Sequence, residues 1–164
     1  MSTIAESLHT AVEMERLGRQ FYIEAADRVR DGVLQSIMVA LARDEEAHER
    51  IIRRYYEALK RQKGWPGAGE GVADLRSSND EVKQIVETTI GGIGADATFL
   101  SIYEKARDLE VRSRDFYSAR AGEAATRDER EFFEFLAGVE AIHLNTLELV
   151  LEGTRGEAEG LAGR

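Results

Sequence analysis

Apolar residues recur every three or four positions along most of the chain, which is the spacing of α-helices with one buried face. The pattern predicts four long helices, at about residues 3–30, 33–61, 96–120 and 127–151, with a short helix at about 80–90. Thr126 and Glu129 have the spacing of a capping box at the start of the fourth helix. Strand-like alternation is scarce and the chain has one proline, so the sequence predicts an all-α protein.

Glycine-rich segments divide the helical pattern into two halves and a tail. Asp31 and Gly32 predict a tight break between the first two helices. Residues 62–95 include a glycine-rich stretch with the sole proline, and they predict a long crossover between the two halves. Trp65 is predicted to anchor this crossover to the helical bundle. We expect one domain at 1–152 and a flexible C-terminal tail at 153–164.

One motif occurs twice in this chain, 95 residues apart. Each copy has Glu-x6-Tyr on one helix and Glu-x-x-His on the next, and the copies are Glu15, Tyr22, Glu45 and His48, then Glu110, Tyr117, Glu140 and His143. The surrounding residues also match in register. Each half is therefore predicted to be a helical hairpin, and the two hairpins are predicted to pair about an approximate two-fold axis.

The four glutamates and two histidines of the repeat form the donor set of a two-metal site inside a helical bundle. Glutamate and histidine three residues apart project from the same face of a helix, one turn from each other. Carboxylates and imidazoles without thiolates suit iron, with manganese as the alternative metal. Four carboxylates also balance the charge of two divalent cations, whereas without metal they would repel each other and take up protons.

Structural explanations compete with this hypothesis at each position. A single Glu-x-x-His motif is weak, and gene duplication alone preserves spacing, but it does not favour acids on a core-facing stripe. For Tyr22 and Tyr117, one explanation is a core aromatic whose hydroxyl needs a partner, and the other is a hydroxyl that hydrogen-bonds a ligand carboxylate. His9 lies outside the repeat and is predicted to be a surface or capping residue.

Composition narrows the functional classes further. The chain has 164 residues, no cysteine and a formal net charge of −9, so thiol chemistry, disulfides and nucleic-acid binding by bulk electrostatics are not expected. The N-terminus lacks the features of a signal peptide, and no stretch approaches roughly 18 consecutive apolar residues. We therefore expect a cytoplasmic protein that does not bind a membrane.

The eight repeated residues and their spacing resemble the rubrerythrin branch of the ferritin-like superfamily, over about residues 5–151. The resemblance implies a ferritin-like four-helix bundle of two hairpins joined by a long crossover. It also implies a non-haem di-iron centre that reacts with hydrogen peroxide or dioxygen. Two features depart from the family pattern: the chain has no rubredoxin-like cysteine domain, and Ser113 stands where rubrerythrins place an extra glutamate, with Gly18 as its symmetry mate.

These observations lead to three functional hypotheses. The first is a di-iron oxidoreductase for peroxide or dioxygen in which Glu45 and Glu140 bridge the two iron ions, Glu15 and His48 complete one site, and Glu110 and His143 complete the other. Because the chain carries no electron relay of its own, we expect a separate electron-donor protein, and we also expect a homodimer or higher homo-oligomer. The second hypothesis is a ferroxidase or iron-handling protein, and the third is a metal-independent helical interaction module.

Overall fold

The computed structural model describes residues 3–61, 64–65 and 97–162, and the side chains of all these except residues 97 and 155–162. Every regular element in these ranges is a helix, and the four helices are α1 (Ile4–Arg28), α2 (Gly32–Lys60), α3 (Ala97–Glu123) and α4 (Arg127–Ala162). The predicted all-α fold is confirmed. The short helix predicted at 80–90 lies outside the described residues.

Local capping explains why the helices begin where they do. Thr3 and Glu6 form a reciprocal capping box at the start of α1, with the Thr3 backbone nitrogen 2.7 Å from a Glu6 carboxylate oxygen. Asp31 accepts hydrogen bonds from the backbone nitrogens of Val33 and Leu34 at 2.9 and 3.1 Å, so the break at Asp31 lets α2 begin at once. Thr126 and Glu129 cap α4 in the same way as Thr3 and Glu6, as the sequence predicted.

The C-terminal end of α4 differs from the prediction. The sequence pattern ended this helix near Leu151, but the helix continues to Ala162 through Gly153. Thr154 is buried, and its hydroxyl donates a 2.7 Å hydrogen bond to the Leu151 carbonyl one turn earlier. A glycine inside a helix costs only about 1 kcal/mol relative to alanine, so buried contacts on the next turn outweigh it. The helix end predicted at about Leu151 was therefore wrong.

Two hydrophobic clusters fill the bundle, one toward each end. The first joins the C-terminal half of α1 to the start of α2, the start of α3 and the later part of α4; the second joins the start of α1 to the end of α2, the end of α3 and the start of α4. Hence α1 is antiparallel to α2 and α3 is antiparallel to α4, while α2 and α3 run parallel. The end of α2 and the start of α3 therefore lie at opposite ends of the bundle.

Trp65 contacts the second cluster, as predicted for the start of the crossover. Its ring is half-buried and lies edge-on to Tyr55 at 5.1 Å and to Phe132 at 5.4 Å between ring centroids. Between the two clusters, on all four helices, lie the glutamates and histidines of the repeat. The fold therefore places six ionisable side chains at the middle of the bundle, with apolar residues above and below them.

Candidate metal centre

The structure brings all six predicted ligands together in the interior. None is more than 4% exposed, and they are contributed by α1 (Glu15), α2 (Glu45, His48), α3 (Glu110) and α4 (Glu140, His143). Buried acids are rare unless they are paired or bind metal, because burial removes the hydration of the charged form. The six side chains lie on the buried faces of their helices, and the two-fold pairing of the hairpins brings these faces together at the middle of the bundle.

The six side chains form two overlapping groups of donors. Glu15, Glu45, His48 and Glu140 can place one donor atom each within 4.8 Å of one another, and so can Glu45, Glu110, Glu140 and His143. Glu45 and Glu140 belong to both groups, which is the position that bridging carboxylates require. The arrangement is that expected for two cations held side by side, with a glutamate and a histidine on each outer side.

The histidines face the carboxylates through the same ring nitrogen. His48 Nδ1 lies 3.1 Å from a Glu15 oxygen and 3.7 Å from Glu45, and His143 Nδ1 lies 3.4 Å from Glu45 and 3.5 Å from Glu110. The two imidazole rings stack, with centroids 5.4 Å apart and planes 16° from parallel. Both rings can therefore bind the cation pair through Nδ1, and this leaves Nε2 for other partners.

Three buried atoms inside this cluster test whether a metal fits it. Glu110 Oε2, Glu140 Oε1 and His143 Nδ1 have no hydrogen-bond partner among the residues that the structure describes. A buried polar atom without a partner costs about 1–3 kcal/mol, and a cation between these atoms would satisfy all three. The donor set of hard oxygens and borderline nitrogens matches iron or manganese, so the residues present fit a two-metal site.

Without metal, the pKa values of the two carboxylates in each pair shift in opposite directions. Burial and the negative charge of Glu15 raise the pKa of Glu45, and burial with the charges of Glu15 and Glu110 raises the pKa of Glu140. Burial opposes the ionisation of Glu15 and Glu110 as well, but hydrogen bonds from Glu45 and His48 lower the pKa of Glu15, and the positive charge of His143 lowers that of Glu110. Glu45 and Glu140 are therefore the members of the two pairs that take up protons first as the pH falls.

The histidines carry the balancing charge in the metal-free protein. Burial lowers the pKa of His48, but hydrogen bonding to Glu15 and the charge of Glu15 outweigh burial and raise the pKa to about 9. Burial likewise opposes the charge on His143, while the Glu110 carboxylate and the contact with Asp44 raise its pKa well above the ordinary value. The charged forms of the two histidines are therefore favoured, and they offset the charges of Glu15 and Glu110.

Each tyrosine hydroxyl donates a hydrogen bond to a glutamate of the other repeat. Tyr22 on α1 donates to Glu110 on α3, and Tyr117 on α3 donates to Glu15 on α1. Both rings are fully buried, and burial together with the charge of the partner glutamate raises the pKa of each tyrosine, so both keep their protons. This geometry supports the second of the two explanations for these tyrosines, with one feature that the spacing did not indicate: the bonds cross between the hairpins.

Removing either tyrosine hydroxyl is expected to destabilise the metal-free protein. In Tyr22→Phe or Tyr117→Phe, a buried carboxylate loses a donor, which costs about 1.5–3 kcal/mol for a hydrogen bond to a charged group. Urea unfolding of the metal-free proteins measures the loss. Tyr56→Phe is the control, because the Tyr56 ring lies half-buried against His9 rather than at the cluster, and its change should stay within about 0.5 kcal/mol. Unchanged stability in both cluster variants would contradict the assignment.

A pocket of about 190 Å³ between α1 and α3 leads to the cluster. Glu45 and Glu110 line it, together with the apolar side chains of Met14 and Leu109 and the half-exposed Leu17. It opens where the symmetry-related positions carry the small residues Gly18 and Ser113. A Cβ on Gly18 would lie 3.3 Å from Cδ of Glu45. The small residues thus leave a path for a small molecule to reach two of the glutamates.

Filling the space at Gly18 is expected to weaken metal binding. In Gly18→Ala, the new methyl group pushes the Glu45 carboxylate by a few tenths of an ångström, and because Glu45 belongs to both donor groups, the affinity for both ions should fall by about ten-fold. Metal titration measures the affinity, and urea unfolding of the metal-free protein measures the stability. Gly138→Ala is the matched control, since nothing lies within 4 Å of its added Cβ. It should stabilise α4 by about 0.5–1 kcal/mol without changing metal affinity, and equal affinities in both variants would contradict the prediction.

Asp44 is a buried acid of the cluster that the sequence analysis did not identify. It is 1% exposed, and its Oδ2 lies 3.4 Å from Nε2 of His143. The signal available in the sequence was the helical position directly before Glu45 on the buried stripe. It was overlooked because the matching residue of the second repeat is Val139, so Asp44 does not appear in the repeated motif.

The four helices form a ferritin-like bundle, and its buried carboxylates and histidines fit a two-metal site. The rubrerythrin family model matches residues 6–151, nearly the whole chain, and the protein therefore belongs to the rubrerythrin family. No curated protein and no solved structure matches the chain. Among the described helices, none has both the length and the apolar character needed to cross a membrane.

Proposed function

We propose that this protein is a di-iron oxidoreductase that reduces hydrogen peroxide or dioxygen. The observation that carries the proposal is the pair of overlapping donor groups that share Glu45 and Glu140 in the interior, beside a pocket that reaches Glu45 and Glu110. Glu15 and His48 would hold one ion, and Glu110 and His143 the other. Metal identity rests on the donor set and on membership of the rubrerythrin family, with manganese as the alternative.

Two bound iron ions supply the two electrons that such a reduction needs. The chain's own residues provide the remaining conditions. Hydrophobic clusters above and below the site exclude bulk water from it. Tyr22 and Tyr117 keep their protons and hold Glu110 and Glu15 in fixed orientations. The pocket is small, at about 190 Å³, and it gives a small oxidant a path to Glu45 and Glu110 between apolar side chains and Arg112.

The electron balance requires a partner. Reduction of one hydrogen peroxide to two water molecules consumes two electrons and two protons, and the cysteine-free chain offers no second redox group to deliver electrons. We propose a separate electron-donor protein that restores the reduced state after each turnover. A cytoplasmic location and assembly into a homodimer or larger homo-oligomer are part of the same proposal.

Anaerobic loading with ferrous iron, followed by one oxidant at a time, tests the function. We expect about two ferrous ions per chain and one peroxide consumed for every two ions oxidised, followed in a stopped-flow spectrometer. Iron uptake far beyond two ions per chain would instead favour the ferroxidase or iron-handling alternative. Failure to bind iron would overturn both and leave the helical interaction module.

A further inference from the structure

Asp44 breaks the two-fold symmetry of the centre at one position. The repeat aligns residue 44 on α2 with residue 139 on α4, and both side chains are buried, at 1% and 2% exposed. The first is an acid and the second is valine. The six donor residues are identical in type between the halves, so this pair makes the surroundings of the two histidines chemically different.

The consequence is seen at the histidine nitrogens that face away from the carboxylates. Asp44 Oδ2 lies 3.4 Å from Nε2 of His143, which is long for a hydrogen bond but within reach of one. His48 Nε2, the symmetry-related atom, is buried and has no hydrogen-bond partner among the described residues. One imidazole therefore has a carboxylate behind it and the other does not.

A carboxylate behind a histidine changes how that histidine binds metal. When Nε2–H donates to Asp44, the ring proton stays on Nε2, and Nδ1 is left free with its lone pair directed at the carboxylate cluster. The same hydrogen bond fixes the ring orientation and makes Nδ1 a stronger donor. His48 must adopt the same tautomer without this support, and its Nε2–H is then a buried donor without an acceptor, which is unfavourable.

We propose that Asp44 is a positioning residue that makes the two metal sites unequal, so that the site of Glu110 and His143 binds its divalent cation first and more tightly. The site of Glu15 and His48 then holds the weaker, more exchangeable ion. This inference rests on the proposed metal function, because it assigns an order of filling to the same centre. Removal of such a carboxylate typically costs about 10–100-fold in metal affinity, so the two binding steps should differ by a similar factor.

Anaerobic titration with ferrous iron, monitored by calorimetry, tests the order of filling in the whole chain. The parent should bind two ions in two resolved steps. Asp44→Val, which copies the residue of the other repeat, should weaken the first step by about 10–100-fold and bring the two steps together. Asp44→Asn keeps the shape and an acceptor oxygen but loses the charge, and it should retain part of the difference.

A gain-of-function variant provides the matched control. Val139→Asp places an acid at the position related by symmetry to residue 44, where it should accept from Nε2 of His48 and tighten the second step while leaving the first unchanged. Mössbauer spectra of the loaded proteins provide a readout that a merely structural role would not move. The parent should show two unequal iron environments, and Asp44→Val should show two that converge.

The outcomes separate this inference from the proposed function. If no variant, including the parent, binds iron, the proposed function fails. If the parent binds two ions with indistinguishable affinities and environments, or Asp44→Val leaves two unequal steps unchanged, the metal function stands and the role of Asp44 is overturned. If Asp44→Val does not fold, as judged by its helical circular dichroism, Asp44→Asn and Val139→Asp still decide the question.

Discussion

Replacing both Glu45 and Glu140 by glutamine is expected to abolish binding of both metal ions. These are the two side chains shared by the donor groups, and glutamine is nearly the same size but cannot supply a negative charge to a cation. We expect more than about 100-fold loss of affinity, since ligands are removed rather than repositioned. Metal analysis after dialysis against ferrous iron, and calorimetric titration, measure the loss.

The metal-free fold should survive this double substitution. Burial and neighbouring carboxylates raise the pKa values of Glu45 and Glu140, which favours their neutral forms, and the neutral glutamine NH₂ group can donate a hydrogen bond where a protonated carboxyl group would. Unfolding of the metal-free variant should therefore occur at a similar or higher urea concentration than that of the parent. Glu46→Gln is the control, because Glu46 is exposed and pairs with Arg19 on the surface at 3.5 Å, away from the cluster. Retention of two ions in the double variant would refute the assignment.

Acidification from about pH 7 to pH 6 is expected to release metal steeply. Raised pKa values make Glu45, Glu140, His48 and His143 hold protons more tightly in the metal-free protein, so filling both sites displaces up to four protons. Because protons and cations compete for the same atoms, affinity rises with pH and falls as the pH is lowered. With up to four protons displaced, the product of the two binding constants should change by up to about four orders of magnitude per pH unit.

The stability of the metal-free protein should depend on pH in the opposite direction to its metal affinity, because of the histidines. The pKa of His48 is raised in the folded state to about 9, so its contribution to stability is fully present below the ordinary histidine pKa and is lost as the pH rises through about 9. The metal-free protein should therefore lose stability toward alkaline pH, while the metal-loaded protein loses it toward acid. The displacement of protons by metal is checked by calorimetric titration of metal in buffers of different ionisation heat, which gives the number of protons released. Release of fewer than about two protons at pH 7 would contradict the charge assignment.

Most helix boundaries could be predicted because they depend on nearby residues. Caps at Asp31 and Thr126 contact backbone nitrogens two to four positions away, so the sequence carries all the information. The end of α4 could not be placed in this way. Its glycines favour an end, but burial of Thr154 depends on the packing of the whole bundle.

At the candidate metal centre, too, the sequence indicates which residues share a face, while the packing of the helices decides which side chains meet. The spacing of the repeat indicated that Tyr22 and Tyr117 share a face with the glutamates, but only the packing of α1 against α3 decides that each reaches the other hairpin. At one turn of α1, helical spacing alone allows either Leu17 or Gly18 to face the interior. The structure buries Gly18 beside Glu45 and leaves Leu17 half-exposed at the pocket.

The sequence by itself determined the helical class, the duplicated hairpin and the six candidate donors, because helical periodicity and a repeated spacing are one-dimensional properties. Tertiary structure decided which donors belong to both groups, where a small molecule can approach them, and that Asp44 lies behind one histidine only. These depend on distances between side chains about 100 residues apart in the chain, such as Asp44 and His143. Such distances are fixed by how the two hairpins pack, which no local pattern specifies.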